Sequence, residues 1–283
     1  MQSGCLFIVS TPIGNLDDMT LRAVSVLKSV DLIAAEDTRH SQRLLSHYQI
    51  KTRTVSLHEH NIAQRTEQVQ GWLKDGKSIA LISDAGTPLI SDPGYRLVNT
   101  LHREGVQVIP IPGACAAIAA LSASGQPTQQ FVFIGFLPRK GQQRRQALER
   151  LKGEERTMVF YESVHRVVDV VEQMAACFGS DREVTMAREI TKLYESIQST
   201  TLQGLLSWMQ ETPGQIKGEF VFVLHGAEAV KEDGDEGCHD KVLTTLLTEL
   251  PLKQSVQLAV KLTGGRRKAM YARALFLEKL RNE

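Results

Sequence analysis

Short apolar runs alternate along the chain with longer amphipathic stretches. Leu6 to Ser10 is apolar and ends at Thr11-Pro12-Ile13-Gly14-Asn15, the pattern of a buried strand followed by a turn. Leu21, Val24, Leu27 and Val30 recur every three residues and predict an amphipathic helix. Asp31 to Ala35 reads as a second buried strand, which delivers Glu36-Asp37-Thr38-Arg39 to its C-terminal end. Ile62 to Lys74 predicts a polar helix. Ile79 to Ile82 predicts a strand opening into Ser83-Asp84-Ala85-Gly86-Thr87-Pro88. Val106 to Ile111 predicts another, opening into Pro112-Gly113 and the alanine-rich stretch 114–123. Phe131 to Phe136 reads as a fifth strand. Apolar strands alternating with helices predict a mostly parallel α/β sheet.

After a basic stretch the rhythm changes. Met158 to Tyr161, Glu183 to Glu189, Tyr194 to Thr200 and Phe220 to Leu224 read as strands. Val164 to Phe178 and Leu202 to Met209 read as helices. Strands joined this tightly predict antiparallel neighbours and a separate α+β or mixed domain. The expected organisation is an N-terminal α/β domain over 1–138, a second α/β domain over 139–227, an acidic linker over 228–240 and a basic helical unit over 241–283. The leucines at 243, 246, 247, 250, 258 and 262 carry the helical pattern of that last unit, and Gly264-Gly265-Arg266-Arg267-Lys268 forms a basic turn within it.

The 283 residues are 42% hydrophobic and 23% charged, with a formal net charge of +1, which excludes a largely disordered chain. No run approaches a membrane span, and the N-terminus lacks the basic start and long apolar core of a secretory signal. Cys5, Cys115, Cys177 and Cys238 lie far apart with no C-x-x-C pair. A disulfide framework or zinc site is therefore not expected, and a reducing cytoplasm fits best. Charge is uneven. Arg139 to Lys152 holds six basic residues against one acid, and the tail from His239 holds nine against four. Such runs form solvated faces or take a polyanionic partner.

One pattern misleads. Gly71-Trp72-Leu73-Lys74-Asp75-Gly76-Lys77-Ser78 satisfies G-x-x-x-x-G-K-[ST], but a phosphate-binding loop needs a strand before it and a helix after it. Here the order is reversed, and Gly76 reads as a helix C-cap. The dinucleotide fingerprint G-x-G-x-x-G is absent. What remains is three turns of small residues at strand ends, Thr11-Pro12-Ile13-Gly14, Asp84-Ala85-Gly86-Thr87-Pro88 and Ile111-Pro112-Gly113-Ala114. They are either plain turns or the peptide walls of a ligand site on one edge of the sheet. Glu36-Asp37-Thr38-Arg39 is either a helix N-cap with a solvated arginine or a substrate-facing cluster with Arg39 on an anion. His58-Glu59-His60-Asn61 is a solvated loop or a substrate contact. Its spacing lacks the i, i+4 pair of a helical zinc site.

Thr11-Pro12-Ile13-Gly14-Asn15-Leu16, Glu36-Asp37-Thr38-Arg39, Ser83-Asp84-Ala85-Gly86-Thr87-Pro88 and Pro110-Ile111-Pro112-Gly113 together resemble the tetrapyrrole methylase family of S-adenosylmethionine enzymes. The resemblance spans roughly residues 5 to 226 and runs strongest to members that modify small-subunit ribosomal RNA. It implies two α/β domains with the cofactor, S-adenosyl-L-methionine, in the cleft between them, usually in a homodimer. It places Pro12, Asp84, Ala85, Gly86, Thr87, Ile90, Cys115, Ala116, Glu162 and Ala187 around that cofactor. Thr87 stands where porphyrin-modifying members carry Asp in a G-x-D-P turn. The implied reaction is methylation of a cytidine 2′-hydroxyl in 16S ribosomal RNA of the small ribosomal subunit, with Glu36, Asp37 or His58 accepting the proton. Arg39, Arg139, Lys140, Arg144, Arg145, Arg266, Arg267 and Lys268 would hold RNA phosphates, with no metal and no membrane involved. The rivals are a porphyrin C-methyltransferase of the same family and a nonenzymatic RNA-binding or assembly protein.

Overall fold

The computed structural model describes residues 4–58, 61–228 and 236–282. The chain divides into two compact units, 1–227 and 228–283. The larger begins with β1 (Cys5–Val9), α1 (Leu21–Ser29), β2 (Leu32–Ala35), α2 (Thr38–His47) and β3 (Thr54–Ser56). It continues through α3 (Ile62–Lys74), β4 (Ile79–Ile82), α4 (Tyr95–Arg103), β5 (Gln107–Ile111) and α5 (Ala116–Ala123). These five strands form one wholly parallel sheet in the order β3-β2-β4-β1-β5. Every strand therefore ends on the same edge. Alternation along each strand separates two cores. Val9, Ile33, Ala35, Ala80 and Ile82 pack with Leu27 and Leu45 on one face. Leu6, Leu32, Ala34, Ile79 and Leu81 pack with Leu73, Leu97 and Leu101 on the other.

The second sheet is built from β6 (Phe131–Phe136), β7 (Thr157–Ser163), β8 (Glu183–Arg188), β9 (Ser196–Thr201) and β10 (Glu219–Leu224), with helices α6 (Gly141–Arg150), α7 (Val167–Phe178) and α8 (Leu202–Glu211). Its order is β6-β7-β10-β8-β9, antiparallel except for the β6–β7 pair. The segment 131–136 thus opens the second sheet instead of completing the first. The change of sheet falls between Ala123 and Phe131, not after 138. The cause lies in α5. Its Ala117, Ala120 and Leu121 pack on Val159, Ala187, Val221 and Val223 of the second sheet, so the chain leaves α5 beside that sheet.

The GKS pattern resolves as expected. Gly76, at φ +84°, follows the C-cap of α3, and Ser78 binds Asp31 through both its N–H (2.7 Å) and its hydroxyl (2.8 Å). That bond pins β4 beside β2 and leaves Ser78 no part in phosphate chemistry.

The smaller unit is a set of three helices, α9 (Glu236–Glu249), α10 (Leu252–Thr263) and α11 (Arg267–Asn282). Leu243, Val256, Ala259, Met270 and Ala274 form its core. Gly264, left-handed at φ +72°, stops α10 and hands the chain to the basic turn. Arg266, Arg267 and Lys268 are exposed there. Asp240 grips Arg273 with two hydrogen bonds of 2.8 and 2.6 Å, tying α9 to α11. Most of the expected acidic linker, 229–235, lies outside the described residues.

Candidate active site

Because β4, β1 and β5 are parallel neighbours, their three turns meet at one edge, and hydrogen bonds stitch them together. Thr11 and Gly86 exchange backbone bonds of 2.8 and 3.0 Å, and the Thr11 hydroxyl donates to Ser83 O at 3.2 Å. The Thr87 hydroxyl donates to Ala114 O at 3.0 Å and lies 2.9 Å from Ser10 Oγ. With its one proton committed to Ala114, Thr87 accepts from Ser10. Thr87 therefore holds the second turn to the third. Gly86 is required here: at φ +80° a side chain is strained, and a Cβ would come within 3.3 Å of Ile13.

Against this edge stands the end of the second sheet, and the two enclose a cleft of about 330 Å³. Ile13, Glu36, Asp84, Ala85, Gly86 and Thr87 line it from the first sheet. Ile90, Ser91 and Asp92 extend that wall, and Cys115 and Ala116 close it at the start of α5. Phe136, Tyr161, Glu162, Ile190, Phe220 and Val221 form the opposite side. Tyr161 joins the halves by accepting the Ala117 N–H at 2.9 Å, and Phe133 and Phe136 hold its ring edge-on. Burial, more than any neighbour, pushes its hydroxyl far above the usual phenol range. Leu89, Ser91, Glu189 and Thr191 all have positive φ and flank the cleft from its two sides. Strained backbone of this kind gathers at ligand sites.

The mouth of the cleft is acidic. Burial raises the pKa of Glu36, and the charges of Asp92, Asp84 and Asp37 add to the rise. Burial also raises Asp92, with Asp84 adding, and Asp92 Oδ2 is buried with no hydrogen-bond partner among the described residues. Asp84 accepts the Asp37 N–H at 3.1 Å, and its own backbone N–H bonds the Glu36 carboxylate. Asp37 does what an N-cap does. It accepts from the Arg39 and His40 amides at 2.8 and 3.3 Å, bonds that lower its pKa.

A second basin of about 560 Å³ shares Ile13, Asp84, Ala85 and Glu219 with the cleft. Thr11, Pro12, Gly14 and Leu16 from the first turn line it, and Arg39, His40 and Arg43 come to it from α2.

Asp84, Ala85, Gly86, Thr87, Ile90, Cys115, Ala116 and Glu162 all line the cleft, joined by Glu36. Pro12 lines the second basin instead, and Arg39, expected on an RNA phosphate, lines that basin too. The Glu162 carboxylate is already held, bidentate, by Arg166 at 2.9 and 3.0 Å, and accepts the Ser163 N–H at 2.7 Å. Ala187 lines neither cavity, being packed beneath α5. His58 lies beyond β3 at the sheet margin and lines neither cavity, while its N–H binds Asn61. Glu59 and His60 lie outside the described residues. Arg139, Lys140 and Arg145 are exposed, but Arg144 is not. Only 2% of Arg144 is accessible, its guanidinium is paired with Asp169, and its Nε donates to Gln173 at 3.0 Å. It braces α6 on α7 and is withdrawn as an RNA contact. No cluster of metal-ligating side chains occurs among the described residues.

A family model described as Tetrapyrrole (Corrin/Porphyrin) Methylases matches residues 5–206, which hold the first sheet and four of the five strands of the second. The chain belongs to the tetrapyrrole methylase family. A second model, the RsmI C-terminal HTH domain, matches residues 232–278, which include most of the three-helix unit. A ribosomal RNA small subunit methyltransferase I from Escherichia coli O157:H7 is 48% identical over 96% of this chain and 95% of its own length. One from Pseudomonas aeruginosa is 46% identical over 97% and 98%. A crystal structure of the methyltransferase CobJ shares the fold, with a TM-score of 0.58 at 19% identity over 80% of this chain and 95% of that one. In this chain the two sheets face each other across the cleft. The cleft of this methylase fits the donor that the family name implies. A volume of about 330 Å³ lies within the range of small-molecule sites, the walls mix peptide groups with Ile13, Ile90 and Phe136, and the carboxyl groups of Glu36, Asp84 and Asp92 would face a cationic ligand.

Sequence reasoning missed Asp92, His40 and Arg43. Asp92 sits in Ser91-Asp92-Pro93-Gly94, whose composition signals only a turn. α2 has just two apolar residues, Leu44 and Leu45, so its helical period is faint.

Proposed function

We propose that this chain transfers the methyl group of S-adenosyl-L-methionine to the 2′-hydroxyl of a cytidine in 16S ribosomal RNA of the small subunit. The supporting observation is identity of 46–48% over nearly the whole chain with relatives named ribosomal RNA small subunit methyltransferase I. The cleft supplies a physical route. Residues 84–87, Cys115 and Ala116 would hold the donor. When bound, its sulfonium supplies an activated methyl carbon, and displacement by the ribose oxygen leaves a neutral thioether. Correct alignment of the two partners contributes about 7–11 kcal/mol to such a displacement.

The 2′-hydroxyl is a weak nucleophile, and a proton acceptor contributes about 10²–10⁴-fold. Of the three candidates, Glu36 best suits that role. It lines the cleft, and burial makes it more basic than an ordinary carboxylate. Asp37 is occupied as a cap, and His58 lines neither cavity. Arg139, Lys140 and Arg145 on the larger unit, and Arg266, Arg267 and Lys268 on the smaller, remain available to phosphates.

The test is incubation with labelled S-adenosylmethionine and either small ribosomal subunits or a porphyrin. Label on the RNA supports this reading. Label on the porphyrin alone, or on neither, refutes it.

A further inference from the structure

The second basin has a use that follows from how its charges are arranged. Arg39, His40 and Arg43 project into it from α2, and Arg39 and Arg43, one turn apart, share a helix face. All three are exposed, and none of their side chains makes an ion pair or hydrogen bond with another described residue. Lys192, also in the lining, differs. It is neutralised by Glu189 at 2.8 Å and Glu219 at 2.7 Å. The acids Asp84 and Glu219 stand on the wall shared with the cleft, and Glu36 lies just beyond it. One side of the basin therefore carries the guanidinium groups of Arg39 and Arg43, neither in an ion pair although Asp37 acts on Arg39 through its charge, and the side toward the cleft carries carboxylates.

We infer that this basin is the acceptor site, and that Arg39, His40 and Arg43 grip phosphates of the RNA strand flanking the target ribose. The inference rests on the methyltransferase reading above. A nucleotide matches this polarity in one orientation. Its phosphates face the guanidinium groups, because an anion gains there from charge-assisted bonds. Its sugar hydroxyl, a donor, then points to the carboxylate side and to Glu36. The ribose meets the donor where the two cavities adjoin, at the shared residues Ile13, Asp84 and Ala85. Phosphate contacts carry no sequence information; they fix register. Arg39 and Arg43 thus position the strand and leave choice of nucleotide to other contacts.

The test compares the full chain with the double variant Arg39→Gln/Arg43→Gln, using small-subunit ribosomal RNA and S-adenosylmethionine. The variant should raise the KM for RNA about tenfold. The slope of log binding constant against log salt should become shallower by about 1.4, as expected for two single-strand phosphates. Calorimetric affinity for S-adenosylmethionine should not change, which also shows that the variant is folded. Arg39→Lys/Arg43→Lys, keeping the charges, should restore the slope. A wild type that methylates RNA beside a Gln variant with unchanged KM and slope overturns the inference and leaves the function standing. Loss of cofactor affinity in the variant assigns the basin to the donor and also overturns it. A wild type that methylates no RNA, or that labels a porphyrin through these arginines, removes the function and the inference together.

Discussion

Glu36 loses water at the end of β2 and faces Asp92 and Asp84, so ionising it in the folded chain costs more than in the unfolded one. Its folded pKa is raised, so the folded state holds the proton to higher pH, and stability falls as pH climbs through that window. Glu36→Gln should therefore melt higher than wild type at neutral pH, with the gap closing below the ordinary carboxylate range. The same variant should lose about 10²–10⁴-fold in methyl transfer measured at saturating cofactor. Wild-type turnover should fall on the acid side as Glu36 protonates, at a pH above the ordinary carboxylate value. A Gln variant that keeps that acid limb would assign it to another group. Thr87→Val should cost about 1–3 kcal/mol in denaturant unfolding, since Ala114 O and Ser10 Oγ lose a buried partner, and should weaken cofactor binding. Single residues were legible in the sequence where a turn exposed them, as at Gly86 and Thr87. They were illegible where a fold brought distant segments together: nothing near Asp92 announces that Glu36 will face it.

Elements differ in the same way. Strands β2 and β4 were readable because burial on both faces writes an unbroken apolar run, and the partly buried β1 and β5 were readable from apolar runs that end in small-residue turns. The sheet that claims β6 was not readable, because the deciding contact is made by α5 against β10, a long-range packing choice. The basic stretch 139–152 shows charge without direction. As a helix, α6 turns Arg144 inward to Asp169 and leaves Arg145 in solvent. Arg144→Ala should destabilise the larger unit by about 2 kcal/mol through lost charged hydrogen bonds and stem packing, with the salt dependence of RNA binding unaltered. Arg145→Ala should do the reverse: unchanged melting and a shallower salt slope. If Arg144→Ala flattens the slope while stability holds, the bracing role assigned to Arg144 is wrong.

At the scale of the whole molecule, each unit carries its own hydrophobic core. A chain ending at Glu228 should still fold cooperatively and bind S-adenosylmethionine with unchanged affinity. It should also bind ribosomal RNA more weakly and with a flatter salt dependence, because Arg266, Arg267 and Lys268 leave with the three-helix unit. An unchanged slope would place that unit away from the RNA. The most direct measurement of all reads the product atom. Small ribosomal subunits are methylated with labelled S-adenosylmethionine, and the RNA is digested to nucleosides. A cleft that aims a methyl carbon at a ribose oxygen predicts label in 2′-O-methylcytidine, absent with Glu36→Gln. Label on a base carbon or nitrogen, or a wild-type digest without label, would contradict it.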